Sequence, residues 1–472
     1  MPLRTPDLHF LLGARVGRGT IKSPEQWLLV LFLGLGWAGC SPGEDPRARG
    51  RVVVEYWEKW TAYEGDAIAA VVEDFNRSQD RIFVRRLTVS KMDQKLILAT
   101  SGKNPPDVAG LWNTYLPAYV ENNALLPLDR WASESGLREE NYLPVFWEMC
   151  RHRGHLWALP TTPSVTALHW NKKIFREAGL DPEQPPRTLA ELERFNETIT
   201  RKKPDGSLDR IGHMPQEPGW WMRDFNRWFG GKVWDGESRL LLDSEPNRRF
   251  FAWLESYPRR FGGPAMDRLR GGFGNFASPE NPFFTGKVAM VMHGVWLDNF
   301  IRNYAPPDFD YGAAPFPTDE ANPAFPVSVA EADILVIPAG SRHPREAMEF
   351  IRYVQSPPAM EKLCLLMKKF TPLRDVSPAF LRNHPHPYLR VFLQLARSPR
   401  TVPILNLPSF NEYSNDIEAN VNEVLRGSLT GEEGRTRLQG RQQKALDDKL
   451  ARWRRVAAGR ESTWCRELAE TP

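Results

Sequence analysis

Residues Gly154 to Phe175 read GHLWALPTTPSVTALHWNKKIF, and this stretch constrains the fold more than any other. It opens with a hairpin-like turn over Gly154–Trp157, is interrupted by Pro160 and Pro163, and resumes as an alternating strand from Val165 to Trp170. Asn171 then stands where a helix N-cap is needed, because its side-chain oxygen accepts from a free N–H of the turn Lys172-Lys173-Ile174-Phe175. Proline offers no N–H to a sheet ladder, so two of them predict that the stretch is not a central strand throughout. The expectation is a crossing, where the chain leaves one lobe and enters another.

Before that crossing the pattern alternates strand and helix. Val52–Trp57 and Ile82–Val89 are rich in β-branched and aromatic residues, while Ile68, Val71, Val72 and Phe75 recur at helical spacing between Asp66 and Arg77. A helix over Met92–Ser101 ends at Gly102, and Pro105-Pro106 leads into a third strand ending at Leu111. Strand–helix–strand–helix–strand implies a parallel α/β sheet, and in such sheets ligands gather outside the carboxyl ends of the strands. Those ends are Trp57 to Thr61 and Trp112 to Tyr115. Both carry aromatic rings beside hydroxyl or amide groups, a combination that suits a sugar.

At 472 residues the chain is too long for one ordinary core and calls for two or three domains. Its formal charge of +4 includes a leader; without residues 1–39 it is about +2, which is no nucleic-acid signature. In that leader a basic region with Lys22 precedes an apolar run from Trp27 to Trp37, closed by Ala38-Gly39-Cys40. The run is shorter than the roughly 20 residues a bilayer-spanning helix needs and has the shape of a secretory signal. Small residues before Cys40 resemble a bacterial lipobox, in which the cysteine is lipidated, although Trp37 stands where leucine is usual; the alternative is an ordinary signal peptide cut nearby. The polar segment 41–50 reads as a linker, and the protein is expected to be exported, held to a bacterial membrane on its extracytoplasmic side. Cys150, Cys364 and Cys465 then remain, an odd number with no metal-site spacing, expected to be buried or free thiols.

The order of several motifs resembles one family. VVVEYWEKW, SGKNPPDVAGLW, LLPLDRW, the crossing with its continuation to LAELE, FFTGKVAMVMHGVW and FDYGAAPFP follow one another from Val52 onward. Together they resemble the extracellular solute-binding proteins of ABC transporters, in the carbohydrate-binding group that includes maltose- and glycerol-phosphate-binding proteins. The resemblance implies an α/β, two-lobe, type II periplasmic-binding-protein fold, each lobe a mostly parallel sheet flanked by helices, with hinge crossings between. It places 51–165 and 331–373 in the first lobe, 166–330 and 374–457 in the second, and leaves 458–472 as a tail. It implies a carbohydrate ligand, permease subunits as partners, a lipid anchor at Cys40, a monomer, and no cofactor, metal or nucleic acid.

The expected ligand residues follow from both lines. A pyranose presents apolar C–H faces and a rim of hydroxyls, so it wants flat rings above and below with planar polar groups around it. Trp57, Trp60, Trp112, Trp220 and Trp296 are expected to supply the faces, and Glu58, Thr61, Asn113, Glu217 and Glu331 the rim. The resemblance assigns a carboxylate and a ring to Glu217 and Trp220, a stacking ring to Trp296, and a further ring to Tyr413 within Phe410–Tyr413. Two adjacent tryptophans beside Gly219 cannot both face one core, so one of Trp220 and Trp221 is expected at the surface. The competing readings are a staple under a long loop for Trp220 and a core position for Trp296. Gly294 before that ring is expected to let a ligand approach the backbone.

Other chemistry finds little support. No GxSxG, HExxH, P-loop or CxxC motif is present. Gly272 to Ala277 matches a loose GxGxxA without a clear preceding strand, and His384-Pro385-His386 is expected in a surface turn. Glu58, Glu217 and Glu331 leave open a carboxylate pair of the glycosidase kind, but the expectation is a binding protein and not an enzyme. Two alternatives keep the fold: a ligand sensor for a signalling partner, and a binder of polyol phosphates instead of neutral sugars.

Overall fold

The computed structural model describes residues 45–320, 324–405 and 407–457, so Cys40, Cys465 and the tail lie outside the described residues. Its strands are β1 (Val52–Glu58), β2 (Ile82–Thr88), β3 (Val108–Trp112), β4 (Arg151–His152), β5 (His155–Leu156), β6 (Leu159–Asn171), β7 (Arg201–Lys202), β8 (Leu208–His213), β9 (Val288–Gly294), β10 (Tyr311–Ala314), β11 (Ser328–Val336) and β12 (Thr401–Pro403). Ten of them form one sheet in the order β2-β1-β3-β11-β6-β9-β8-β7, with β10 on β6 and β12 on β11. β1, β2 and β3 pair in parallel, as the alternation of strand and helix requires. β11 runs antiparallel to β3 and to β6, β6 runs antiparallel to β9, and together β11 and β6 join the two halves of the sheet.

Two hydrophobic cores lie along this sheet. The first gathers Val54, Phe75, Leu96, Leu111, Phe146, Phe350 and Phe370; the second gathers Phe175, Met214, Phe250, Phe251, Met292, Val424 and Leu438. β6 gives Val165 and Ala167 to the first and Leu168 and Trp170 to the second, and β11 gives Ile334 and Val329 in the same way. The hinge is therefore two long paired strands. Phe380, Leu389, Phe392 and Leu395 pack in the first core, whereas the sequence reading put everything from 374 in the second lobe; the chain rejoins the second core at Ile404.

The crossing differs from expectation in an informative way. β6 is one strand of 13 residues, all buried, and both prolines lie inside it. Pro163 pairs with Ala332 and Pro160 with Ile334, and the register slips between those two partners. A bulge is where a strand tolerates a residue without an N–H, which is how a proline-interrupted segment stays central. The hairpin before it turns on Arg153 and Gly154, both at positive φ (53° and 83°), the geometry a two-residue turn needs. Asn171 caps the helix Lys172–Glu177 by accepting from the Ile174 N–H at 3.1 Å. Thr188 likewise accepts from the Glu191 N–H at 3.1 Å, but Glu191 reaches the Arg187 N–H instead of closing the capping box.

Cys150 and Cys364 are buried free thiols. His386 is buried too, with Nε2 3.0 Å from the Val295 carbonyl, because the Pro385 turn folds inward against Phe392.

Candidate functional site

A cleft of about 630 Å³ opens where the strand ends of the first core meet loops of the second. One wall follows β1 and β3: Trp60 and Tyr63, then Trp112, Asn113 and Tyr115. Trp60 and Trp112 meet edge to face at 5.6 Å between ring centroids, and Trp112 meets Tyr115 at 5.8 Å. Trp112 is 40% exposed, unusual for so large an apolar ring. The opposite wall is a patch of mutually supporting rings. Trp220 touches Phe276 at 4.8 Å and Trp296 at 5.5 Å, while Phe276 touches Phe300 at 4.6 Å. Buried His293 backs this patch, its ring perpendicular to Trp296 at 4.1 Å.

The floor is polar and comes from the hinge strands. β6 contributes Thr162 and Ser164, and β11 contributes Glu331 and Asp333, two residues apart and so on one face. Asp333 is the centre of a buried ionic network. Lys59 Nζ lies 2.8 Å from its carboxylate and Lys369 Nζ 3.9 Å, and the Thr162 hydroxyl donates to it. Lys369 also holds Glu64 at 3.1 Å, and Lys59 lies over the faces of Trp60 and Trp112 at 4.9 and 5.2 Å. Burial alone would raise the Asp333 pKa, but Lys59 and Lys369 outweigh it and hold the group below its ordinary value. Glu331 has no ion-pair partner among the described residues. Burial raises its pKa, against the opposing pull of Arg223 and Lys369.

These groups can sandwich a flat, hydroxyl-rich guest. The buried indole N–H of Trp60 and of Trp221, the Asn113 side-chain NH2 and the Ser164 hydroxyl have no partner among the described residues, and all four residues line the cleft. A buried unpaired donor is costly, so such a set wants a guest with acceptors.

A family model for bacterial extracellular solute-binding proteins matches residues 61–361, a span that carries Trp112, Trp220, Trp296 and Glu331. The chain belongs to that family. This solute-binding protein is 22% identical over 404 residues to an ABC transporter extracellular-binding protein of Pyrococcus horikoshii, covering 80% of this chain and 84% of that one. It is 22% identical over 319 residues to a sn-glycerol-3-phosphate-binding periplasmic protein of Yersinia pestis, covering 64% of this chain and 70% of the relative. Among solved structures it resembles a protein with mannobiose bound (TM-score 0.71, 23% identity, 83% of this chain and 99% of that one). It also resembles the sugar-binding protein MalE of Xanthomonas citri (TM-score 0.71, 20% identity, 86% and 99%). At these identities the likeness speaks for the fold, which is the expected type II binding-protein fold.

Of the residues expected to bind ligand, the solute-binding protein brings Trp60, Trp112, Asn113, Trp220, Trp296 and Glu331 to the cleft. Five lie elsewhere. Trp57 alternates with Tyr56 and Glu58 on β1 and so faces the opposite side of the sheet, packed on the first core. Glu58 is 2% exposed and turned inward, accepting from the Tyr56 hydroxyl and the Lys59 N–H; it fits only because Gly110 has no side chain there. Thr61 is exposed at the N-cap of the helix Ala62–Ser78. Glu217 is partly buried outside the lining, and its pKa is pushed up to about 7 by burial, with Arg270 opposing. Tyr413 is fully buried one turn inside the helix Phe410–Arg426, whose first residue, Phe410, lines the cleft instead. Gly294 makes room for the Trp296 indole and the Ser164 hydroxyl, not for a ligand.

Sequence reasoning missed Tyr63, Glu64, Arg223, Phe276, Asp333 and Lys369. Asp333 was recoverable, since it follows Glu331 at strand spacing. Phe276 stood inside the glycine-rich segment read only for its glycines. As expected, Trp221 is buried and Trp220 exposed, and both line the cleft.

Proposed function

We propose that this protein captures a neutral mono- or oligosaccharide outside the cytoplasm and delivers it to the permease of an ABC importer. The observation that carries this reading is that aromatic walls from two different cores face one cleft over a polar floor. A guest held between both walls gains contacts in the closed form that the open form cannot make, so binding drives closure about the hinge strands. A permease that distinguishes closed from open then reads ligand occupancy.

The named relatives bind two different chemistries, sn-glycerol-3-phosphate and mannobiose. The cleft favours the uncharged one. Its acidic lining residues are Glu64, Glu331 and Asp333 against Arg223 and Lys369, and Lys369 is already engaged by Glu64 and Asp333. A phosphate dianion would meet more like charge than unlike. We further propose that Cys40 carries a lipid anchor, which the apolar run before it supports, and that the protein performs no catalytic step. A thermal-shift screen over neutral sugars, polyols and phosphorylated polyols tests the ligand reading. Neutral sugars should raise the transition; stabilisation by phosphorylated compounds alone would refute it. Incubation with oligosaccharides should release no new reducing ends.

A further inference from the structure

We propose that Arg223 and Glu331 act together as a charge filter that admits uncharged sugars and turns away both hexuronates and amino sugars. The proposal rests on the sugar reading above and adds the residues that set charge selectivity. Both side chains line the same cleft, Arg223 from the loop after β8 and Glu331 from the hinge strand β11.

Their pairing distinguishes them from the other ions of the lining: Glu331 has no ion-pair partner among the described residues, and the carboxylate beside Arg223, Asp224, lies behind it and outside the lining. Lys369 is locked between Glu64 and Asp333, and Asp333 between Lys59, Lys369 and the Thr162 hydroxyl. Arg223 is steadied from behind instead. Its guanidinium lies 5.2 Å from the Phe410 ring centroid and its Nε 3.6 Å from Asp224, a carboxylate with no exposure. Its side chain keeps 19% exposure, and its buried Nε has no hydrogen-bond partner among the described residues. Glu331 forms no ion pair among the described residues; its neighbour across the strand pair is Ser164, and the Trp296 indole nearby favours its ionised form. Arg223 exerts the largest favourable charge influence that Glu331 feels.

A guanidinium only donates hydrogen bonds and a carboxylate only accepts them. A sugar hydroxyl does both, so neighbouring hydroxyls satisfy the pair while leaving its charges balanced. A hexuronate carboxylate would gain Arg223 but be pressed against Glu331, and an ammonium would gain Glu331 but be pressed against Arg223. In a water-poor cleft these repulsions are stronger than in solvent. Rejecting a guest by such an unpaired charge is a common source of specificity.

The test is calorimetric titration of the full protein with three disaccharide sets: neutral maltose and mannobiose, counterparts with a terminal hexuronate, and counterparts with a terminal hexosamine. Wild type should bind a neutral member at least tenfold more tightly than its charged counterparts. Glu331→Gln should raise hexuronate affinity relative to neutral at least tenfold, and Arg223→Gln should do the same for the hexosamine. Arg223→Lys, which keeps the charge, should still reject the hexosamine. Thermal transitions confirm folding of each variant, and the two filter positions lie on different elements, so one misfolded variant leaves the other decisive. Charged and neutral sugars binding wild type equally, or neutral-to-charged ratios unchanged in both variants, would overturn the filter while leaving the sugar reading intact. Binding of none of the sugars would overturn both.

Discussion

Asp333→Asn is the most informative single perturbation, because Asp333 joins the hinge to the cleft floor. Its side chain is 9% exposed and lies between Lys59 and Lys369, themselves 7% and 4% exposed. Asparagine keeps the shape and a partner for the Thr162 hydroxyl but leaves two buried ammoniums short of one negative charge. Breaking a buried ion pair by removing one partner costs about 3–5 kcal/mol. Each lysine retains a second carboxylate, Glu58 at 3.6 Å from Lys59 and Glu64 at 3.1 Å from Lys369, which places the loss at the lower end. We expect about 3 kcal/mol at pH 7. The pH dependence has a definite sign. The Asp333 pKa is depressed in the folded protein, so its contribution is complete above the unfolded value near pH 4 and is lost as pH falls through the folded value. The stability gap between wild type and variant should therefore be flat from pH 8 to 5 and narrow below about pH 4. Urea unfolding followed by tryptophan fluorescence measures it. A gap under about 1 kcal/mol at pH 7, or one that widens on acidification, would refute the reasoning.

Trp112→Ala and Trp296→Ala should each weaken sugar binding about tenfold or more, near 1.4 kcal/mol, whereas Tyr413→Phe should leave titrated affinity within about twofold because its ring lies outside the cleft. The Glu217 pKa is raised from 4.5 to about 7, so the folded state holds a proton the unfolded state has released and stability falls as pH rises through that window. Glu217→Gln should reduce the drop in thermal transition between pH 5 and 8; an unchanged drop would remove this assignment. Cys40→Ser should move the protein from the membrane fraction to the soluble fraction, and retention in the membrane fraction would argue against the anchor.

Local chemistry carried much of the architecture into the sequence. Asn171 announced a helix start, the β-branched and aromatic runs with the helical spacing of Ile68 to Phe75 between them announced a parallel α/β half, and the motif order announced the family. These signals are legible because a helix or strand face is set by backbone geometry within a few residues. Trp112 was legible for the same reason, since it ends a strand at the side where ligands collect, whereas Trp296, two residues beyond the end of β9, was legible through the family resemblance. Which ring of a neighbouring set reaches the cleft was decided only by packing. Trp60 does and Trp57 does not, Phe410 does and Tyr413 does not, because that choice depends on which face the opposing elements cover. The same holds for Asp333 with Lys59 and Lys369, whose charges are tolerable in the interior only as a set assembled from distant segments. Pro160 and Pro163 mark the boundary most sharply: the sequence determined that they withhold two hydrogen bonds, and only the bulge between β6 and β11 decided that a central strand could do without them.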